Sequence, residues 1–309
     1  MSSVPITPDS EIQGLGAPSN LPRRKVVGAI GKGAFIAATV FAALILVTLL
    51  ARILFQGIGA LDMDLLTNRF TSNNAINNGT AGFRTGIISS LWLVLITAAF
   101  AIPVGVGAAI YLEEYAPDNW FTKVVQVNVS NLSGVPSVVY GLLGLGVFVS
   151  FFGFNFLGRS VLAGGLTLGL LVLPIIIIAA QEALRAVPSS LREAAYALGA
   201  TPWQVTWHHV LPAAMSGILT GTILSVARAI GETAPVLVAG AATAITLAPS
   251  DPLDGYSPLP LQVFDALVRP QASAKEFAAA GIIIMMALLL TLNLIAIVLR
   301  ERANRKVRW

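Results

Sequence analysis

No cysteine occurs among the 309 residues, so disulfides, thiolate metal sites and cysteine nucleophiles are excluded, whatever the compartment. Charge is also scarce, with Asp, Glu, Lys and Arg making up 11% of the chain against a hydrophobic share of 56%. Together with a mean hydropathy of +0.80, this is too apolar for a water-soluble domain and predicts an all-α polytopic membrane protein. The two histidines, His208 and His209, are neighbours whose side chains point about 100° apart on a helix, so they cannot ligate one metal from one face. No HExxH sequence occurs, and the apolar stretches offer no histidine to activate a serine. Gly31-Lys32-Gly33 is not a phosphate-binding loop, because Val26 stands where that pattern needs its first glycine and no Ser or Thr follows Lys32. The expectation is therefore a chain with no catalytic centre, metal site or bound cofactor of its own. The net charge of +4 comes largely from the two ends, as cytoplasmic flanks of membrane spans require, and does not point to nucleic acid.

What is present is a series of apolar runs. Residues 1–25 are polar and proline-rich and are expected to form a disordered cytoplasmic tail. A six-helix membrane domain is expected over 26–300, and 301–309 form a basic cytoplasmic tail. The first span runs from Val26 to Leu54, too long for the apolar core of a signal peptide. An Asn-rich segment, Gln56 to Arg84, reads as an exposed outer loop. The second span, Thr85 to Leu112, contains Pro103 and closes in Glu113-Glu114-Tyr115-Ala116-Pro117. In the third, Val127 to Phe152, Ser133, Ser137, Gly141 and Gly144 recur at helical spacing. That stripe serves either close packing against a neighbouring helix or, with Pro136 opening the helix, the lining of a pathway. A turn over Phe154 to Arg159 precedes the fourth span, Ser160 to Ala183. The fifth, Pro212 to Ala239, is followed by a proline-rich outer loop over Thr243 to Glu276, with an amphipathic piece at Leu261 to Val268. The sixth is Phe277 to Leu299. An even number of spans puts both basic ends on one side, with the segment at Leu191 on the same side.

Two stretches carry the polar chemistry. Ser190-Leu191-Arg192-Glu193 reads as a capping box that starts a short helix, Gly199 as its left-handed end, and Thr201-Pro202-Trp203-Gln204 as a second box with proline at the first helical position. Leu191, Ala194, Ala195 and Leu198 would give the first helix an apolar face suited to a partner's groove. On the fifth span Gly217, Gly221, Ser225, Arg228 and Glu232 fall within a stripe roughly 80° wide. Arg228 lies about 24 Å of helical rise beyond Pro212, a depth at which charge belongs in a protein interior or a wet pathway. Pro235 removes the hydrogen bond that the Gly231 carbonyl needs, so the helix is expected to break beside the two charges.

Glu193-Ala194-Ala195, Gly199 and Leu211-Pro212 resemble the EAA loop of importer-type ABC permeases, with His209 where that pattern usually has Ile. Ile102-Pro103-Val104-Gly105, Ala109 to Pro117, Gly134-Val135-Pro136-Ser137 and Arg228-Ala229-Ile230-Gly231-Glu232-Thr233-Ala234-Pro235 are similar to the phosphate permeases of PstA/PstC type, with GETAP favouring the PstA side. The resemblance covers residues 85–300. It implies an importer-type permease fold and a multi-pass subunit of a phosphate importer in the bacterial cytoplasmic membrane. Its partners by resemblance are a second homologous permease, two cytoplasmic ATPases that bind ATP and Mg, and an extracytoplasmic phosphate-binding protein, with membrane lipid around the spans. Leu191 to Trp203 would be the cytoplasmic coupling helix and its exit, with Glu193 and Gly199 matching the motif. Arg228 and Glu232 are the candidates for substrate translocation or gating. Other readings are a sulfate or molybdate permease, an ATP-independent channel or secondary transporter, and a membrane enzyme.

Overall fold

The computed structural model describes residues 21–70, 76, 79–151, 154–155, 157–242, 245 and 247–305. The chain divides into two compact units, Met1–Arg52 and Ile53–Trp309. Helix α1 (Leu21–Gly57) starts five residues before the expected Val26, and the rest of the expected disordered tail lies outside the described residues. Gly31 and Gly33 sit inside this helix with nothing within 4 Å, so Lys32 belongs to a continuous helix and not to a loop.

The segment expected to be an exposed Asn-rich loop is instead partly a packed cap. Helix α2 (Met63–Thr67) is capped by the Asp62 carboxylate, which accepts from the Met63 N–H at 2.6 Å. Leu65, Phe70, Ile76, Ala81 and Phe83 are buried, and the Phe83 ring stacks 4.3 Å from Phe277. The Arg269 guanidinium lies 5.3 Å above the Phe70 ring. The asparagines suggested exposure, but the apolar residues between them find a core made by distant helices; Asn73, Asn74, Asn77 and Asn78 lie outside the described residues.

Two parallel helices form the centre of the second unit. Helix α3 (Arg84–Ile110) runs through Pro103 without ending, and its neighbours are drawn in by glycines on α6 (Val161–Arg185). Gly165 meets Ile96, Gly169 meets Phe100, and Gly105 of α3 meets Ile176, so the two helices advance in step. Thr97 adds a hydrogen bond across the seam, its hydroxyl donating to the Gly165 carbonyl at 3.0 Å. Small residues at this spacing let backbones approach closely where lipid offers no hydrophobic drive.

The expected third span is not one helix. Helix α4 (Trp120–Leu132) and helix α5 (Ser137–Gly144), which continues as a π turn over Leu145–Val149, meet at 107° across residues 133–136. Pro136 lacks an N–H and disfavours the helical conformation of Val135, so the apolar run bends there. The small-residue stripe is divided by this bend: Gly141 sits on the backbone of Pro235 and Gly144 on Thr167, which is close packing. Beyond the π turn, strand β1 (Ser150–Phe151) pairs antiparallel with β2 (Phe154–Asn155), where a simple turn was expected. The Ser160 hydroxyl then caps α6 by accepting from the Ala163 N–H.

After α6 come α7 (Ser189–Ala197) and α8 (Pro202–Val205). Helix α8 passes through a π turn over Thr206–Val210 into α9 (Leu211–Gly231). Helix α9 returns antiparallel to α6, with Gly217 against Ala183 and Gly221 against Ala179. It ends at Gly231, short of the expected Ala239, and a separate α10 (Ala234–Val238) follows. Helix α11 (Leu259–Val268) forms where a short amphipathic piece was expected, with Leu259, Leu261, Gln262, Val263 and Ala266 on its buried face. Its entry is tied to α3, the Ser257 and Leu259 N–H groups donating to the hydroxyls of Ser89 and Ser90. Helix α12 (Ala272–Arg305) begins before the expected Phe277 and carries the first part of the basic tail as helix. The Arg300 guanidinium donates to the Thr220 hydroxyl at 3.0 Å, joining α12 to α9. Five helices have the length and apolarity to cross a membrane, and counting the bent α4–α5 pair as one span gives the six expected.

Candidate functional site

The sequence places candidate chemistry at both ends of the run from α7 to α10. At the first end, α7 starts at Ser189 with Pro188 before it and has no side-chain cap, so the Ser190–Glu193 box does not form. Pro188 in its extended conformation starts the helix two residues earlier than a Ser190 cap would, which moves Ser190 inside the first turn. The end of the helix follows expectation. Gly199 has φ +83, and the Gly199 and Ala200 N–H groups close on the carbonyls of Tyr196 and Ala195. Thr201 and Gln204 form a reciprocal box, the Gln204 N–H donating to the Thr201 hydroxyl and the Thr201 N–H to Gln204 Oε1.

The expected apolar face of α7 divides in two. Ala195 is buried and Leu191 half-buried, both in a core with Leu184, Val187, Val205 and Val210. Glu193, Ala194, Tyr196 and Leu198 face outward, Leu198 at 90% exposure. The Trp203 and Trp207 rings stack 5.3 Å apart beside this surface. Leu191 and Ala195 therefore seat the helix, and Glu193, Ala194 and Gly199 belong to the part a partner can reach.

Sequence reasoning missed what fastens this helix. Helix α3 ends in a π turn over Tyr111–Tyr115, and its two adjacent carboxylates reach different neighbours. Glu113 accepts from Arg185 at 2.6 and 2.9 Å and from Gln181 at 2.9 Å. Glu114, with a side chain only 5% exposed, accepts from Arg192 Nη2 at 2.7 Å. The same Arg192 donates to the carbonyls of Leu184 and Val187 at 3.0 and 2.8 Å, at the C-terminal end of α6. Two adjacent acids at the close of an apolar span were the available signal, since such groups need cations, but their partners lie 72 and 78 residues away.

At the other end, Arg228 and Glu232 stand on either side of the break that ends α9. Glu232 leaves the helix in an extended conformation, φ −80 and ψ 116. Pro235, three residues further, lies in the first turn of α10 and cannot supply the N–H that a continuous helix would need there. The expected stripe is only partly one surface: Gly217 and Gly221 close on α6 and Ser225 is buried, whereas the Arg228 side chain is 60% exposed. Arg228 Nε lies 3.7 Å from Glu232 Oε1, an ion pair too long for a hydrogen bond. Among the described residues the Arg228 guanidinium makes no hydrogen bond, so its donors are available to an acceptor from outside. Glu232 also lines a cavity of about 10 Å³ with Ser90, Thr97 and Ile230, space for about one water. A delocalised cation with free donors beside broken backbone is chemically suited to an oxyanion. Among the described residues no group of three or more His, Cys, Asp or Glu side chains could hold a metal ion.

Residues 101–309 match the family described as the binding-protein-dependent transport system inner membrane component. The phosphate transport system permease protein PstA 1 of Mycobacterium tuberculosis is 36% identical over 232 residues, covering 73% of each chain. The PstA of Yersinia pestis is 34% identical over 241 residues, 78% of this chain and 79% of that one. The probable ABC transporter permease YqgI of Bacillus subtilis is 34% identical over 69% of this chain and 70% of its own length. Among solved structures, a chain of the inward-facing MetNI methionine ABC transporter aligns with a TM-score of 0.57 and 17% identity, over 77% of this chain and all of that one. A chain of the bacterial ABC transporter that imports alginate aligns with a TM-score of 0.60 and 14% identity, over 90% of this chain and 99% of that one.

Proposed function

Since this chain belongs to the family of binding-protein-dependent transport system inner membrane components, we propose that it forms half of the membrane pathway of an ATP-driven phosphate importer. It is a permease subunit of the ABC importer type, and its own sequence carries no ATPase motif. The observation that carries phosphate as cargo is the identity of 34–36% with PstA permeases over most of the chain. The free donors of Arg228 support an anionic cargo.

In this reading a second homologous permease completes the pathway, and two cytoplasmic ATPases hold ATP and Mg. An extracytoplasmic binding protein delivers phosphate, and both termini of this chain face the cytoplasm. The outward part of α7 docks on an ATPase, with Glu193, Ala194 and Gly199 at the contact and Leu191 and Ala195 seating the helix behind it. ATP-driven movement of that ATPase rocks α7, and the continuous run from Pro202 to Gly231 carries the movement to Arg228. Arg228 draws phosphate by charge-assisted hydrogen bonds, and the loosely paired Glu232 returns the guanidinium to itself once phosphate leaves. One Arg is a weak anion site, so a matching Arg from the second permease is part of the proposal.

Arg228 alone does not distinguish phosphate from sulfate. A competition assay on the reconstituted complex tests the cargo. Unlabelled phosphate is expected to suppress labelled phosphate uptake at concentrations where sulfate and molybdate leave it intact. Equal suppression by sulfate or molybdate would assign the subunit to another oxyanion.

A further inference from the structure

We propose that Glu114 and Arg192 are positioning residues that make α7 one rigid body with the inner ends of α3 and α6, so that movement applied to α7 enters both spans. The inference rests on the reading of α7 as the helix that meets an ATPase.

Three observations carry it. First, α7 is short and lies between two turns, at 186–188 and 198–201, each able to absorb a push by changing its dihedrals, while Leu191 and Ala195 pack beneath it. Arg192 removes that freedom, because one guanidinium bonds the Glu114 carboxylate at the end of α3 and the Leu184 and Val187 carbonyls at the end of α6. Secondly, the pair is enclosed. Glu114 is 5% and Arg192 22% exposed at the side chain, so water competes poorly for these bonds. Thirdly, the π turn over Tyr111–Tyr115 carries Glu113 and Glu114 together, and the Glu113 bonds to Arg185 and Gln181 pin the same turn to α6. The ends of α3 and α6 are thus joined before Arg192 adds α7. In this π turn two consecutive acids both find cations.

The geometry also excludes the simpler substitute. A lysine at 192 offers a single nitrogen and cannot span a carboxylate and two separated carbonyls as the guanidinium fork does. It is a fastening for transmission that the arrangement describes; neither side chain reaches toward Arg228 or the outward surface of α7.

The test uses the full complex reconstituted in lipid vesicles and reads ATP hydrolysed per phosphate transported, a ratio that a purely structural role leaves unchanged. Glu114→Gln is nearly isosteric and keeps a neutral acceptor. With the assembled complex still present, it is expected to retain ATP hydrolysis within about twofold while phosphate uptake falls roughly tenfold, the scale set by one charge-assisted hydrogen bond. An unchanged ratio would overturn the proposal. If that variant fails to assemble, Glu114→Cys with Arg192→Cys decides, because the chain has no other cysteine. Joining the two thiols with a short bis-maleimide is expected to restore a wild-type ratio, and a ratio unaffected by the cross-link would again overturn it. In the wild-type complex, ATP hydrolysis unlinked to phosphate would remove the ATPase reading and this proposal together. A linked wild type with an unchanged variant removes this proposal alone.

Discussion

Arg228→Gln lowers ATP-driven phosphate uptake by about tenfold to a hundredfold in an assembled complex, on this account. The size follows from losing a charge-assisted interaction of about 1.5–3 kcal/mol with the anion, at 1.36 kcal/mol per factor of ten. Assembly is expected to survive, because Arg228 is 60% exposed and its described contact is the 3.7 Å approach of Glu232. Arg228→Lys keeps the charge and loses the fork, so it should fall between the two. The measurement is initial uptake of labelled phosphate at matched amounts of purified complex. Uptake equal to wild type in Arg228→Gln would remove Arg228 from the pathway.

Glu193→Lys is expected to act at the other end and by a different route. Glu193 is exposed, and among the described residues it makes no hydrogen bond or ion pair, so the change should shift the stability of the chain by no more than about 0.5 kcal/mol. At the proposed contact with an ATPase, however, it reverses a charge on the surface that also carries Ala194 and Gly199, and like-charge juxtaposition across an interface costs several kcal/mol. Co-purification of the ATPase with the permease should fall by tenfold or more, with phosphate-stimulated hydrolysis falling to the unstimulated rate. Normal association together with normal transport-linked hydrolysis would show that this face of α7 is not the docking surface. The two variants separate cleanly, since one leaves the motor attached to a faulty pathway and the other detaches the motor.

The legible parts of this chain were those that a single stretch of sequence determines. Apolar runs located α1, α3, α6, α9 and α12, because a span of about 20 helical residues needs no partner to declare itself. Local capping also read through where it was complete within four residues, as at Thr201 and Gln204. At Ser190 the same pattern misled, because Pro188 starts the helix earlier and a capping box depends on where the first turn begins. Hydropathy could not show the 107° bend between α4 and α5, since both halves are apolar; Pro136 was the only local sign of it. The packed cap around Phe83 was illegible for a related reason. Phe70 and Phe83 sit among asparagines and glycines, and their core partner Phe277 lies 207 and 194 residues later.

The candidate site shows the same limit. Arg228, Glu232 and the break before Pro235 could be named because the charges, the proline and the helical spacing lie within eight residues. The outward half of α7 could be named from a short motif, but its apolar face could not be apportioned. Whether Leu191 and Ala195 face a partner or their own chain depends on Val205 and Val210 folding back beneath them. The Glu113 and Glu114 pairs went unread altogether, because nothing in an acidic loop says which of several distant arginines will lie beside it.

In the proposed function phosphate moves through this subunit only when an ATPase drives it. Vesicles containing the complete complex, loaded with ATP and supplied with the phosphate-binding protein, are expected to accumulate labelled phosphate. Omitting ATP or the binding protein should reduce accumulation to background even with an ion gradient imposed. Accumulation driven by the gradient alone, in vesicles holding this chain without an ATPase, would contradict the account and assign the chain to secondary transport.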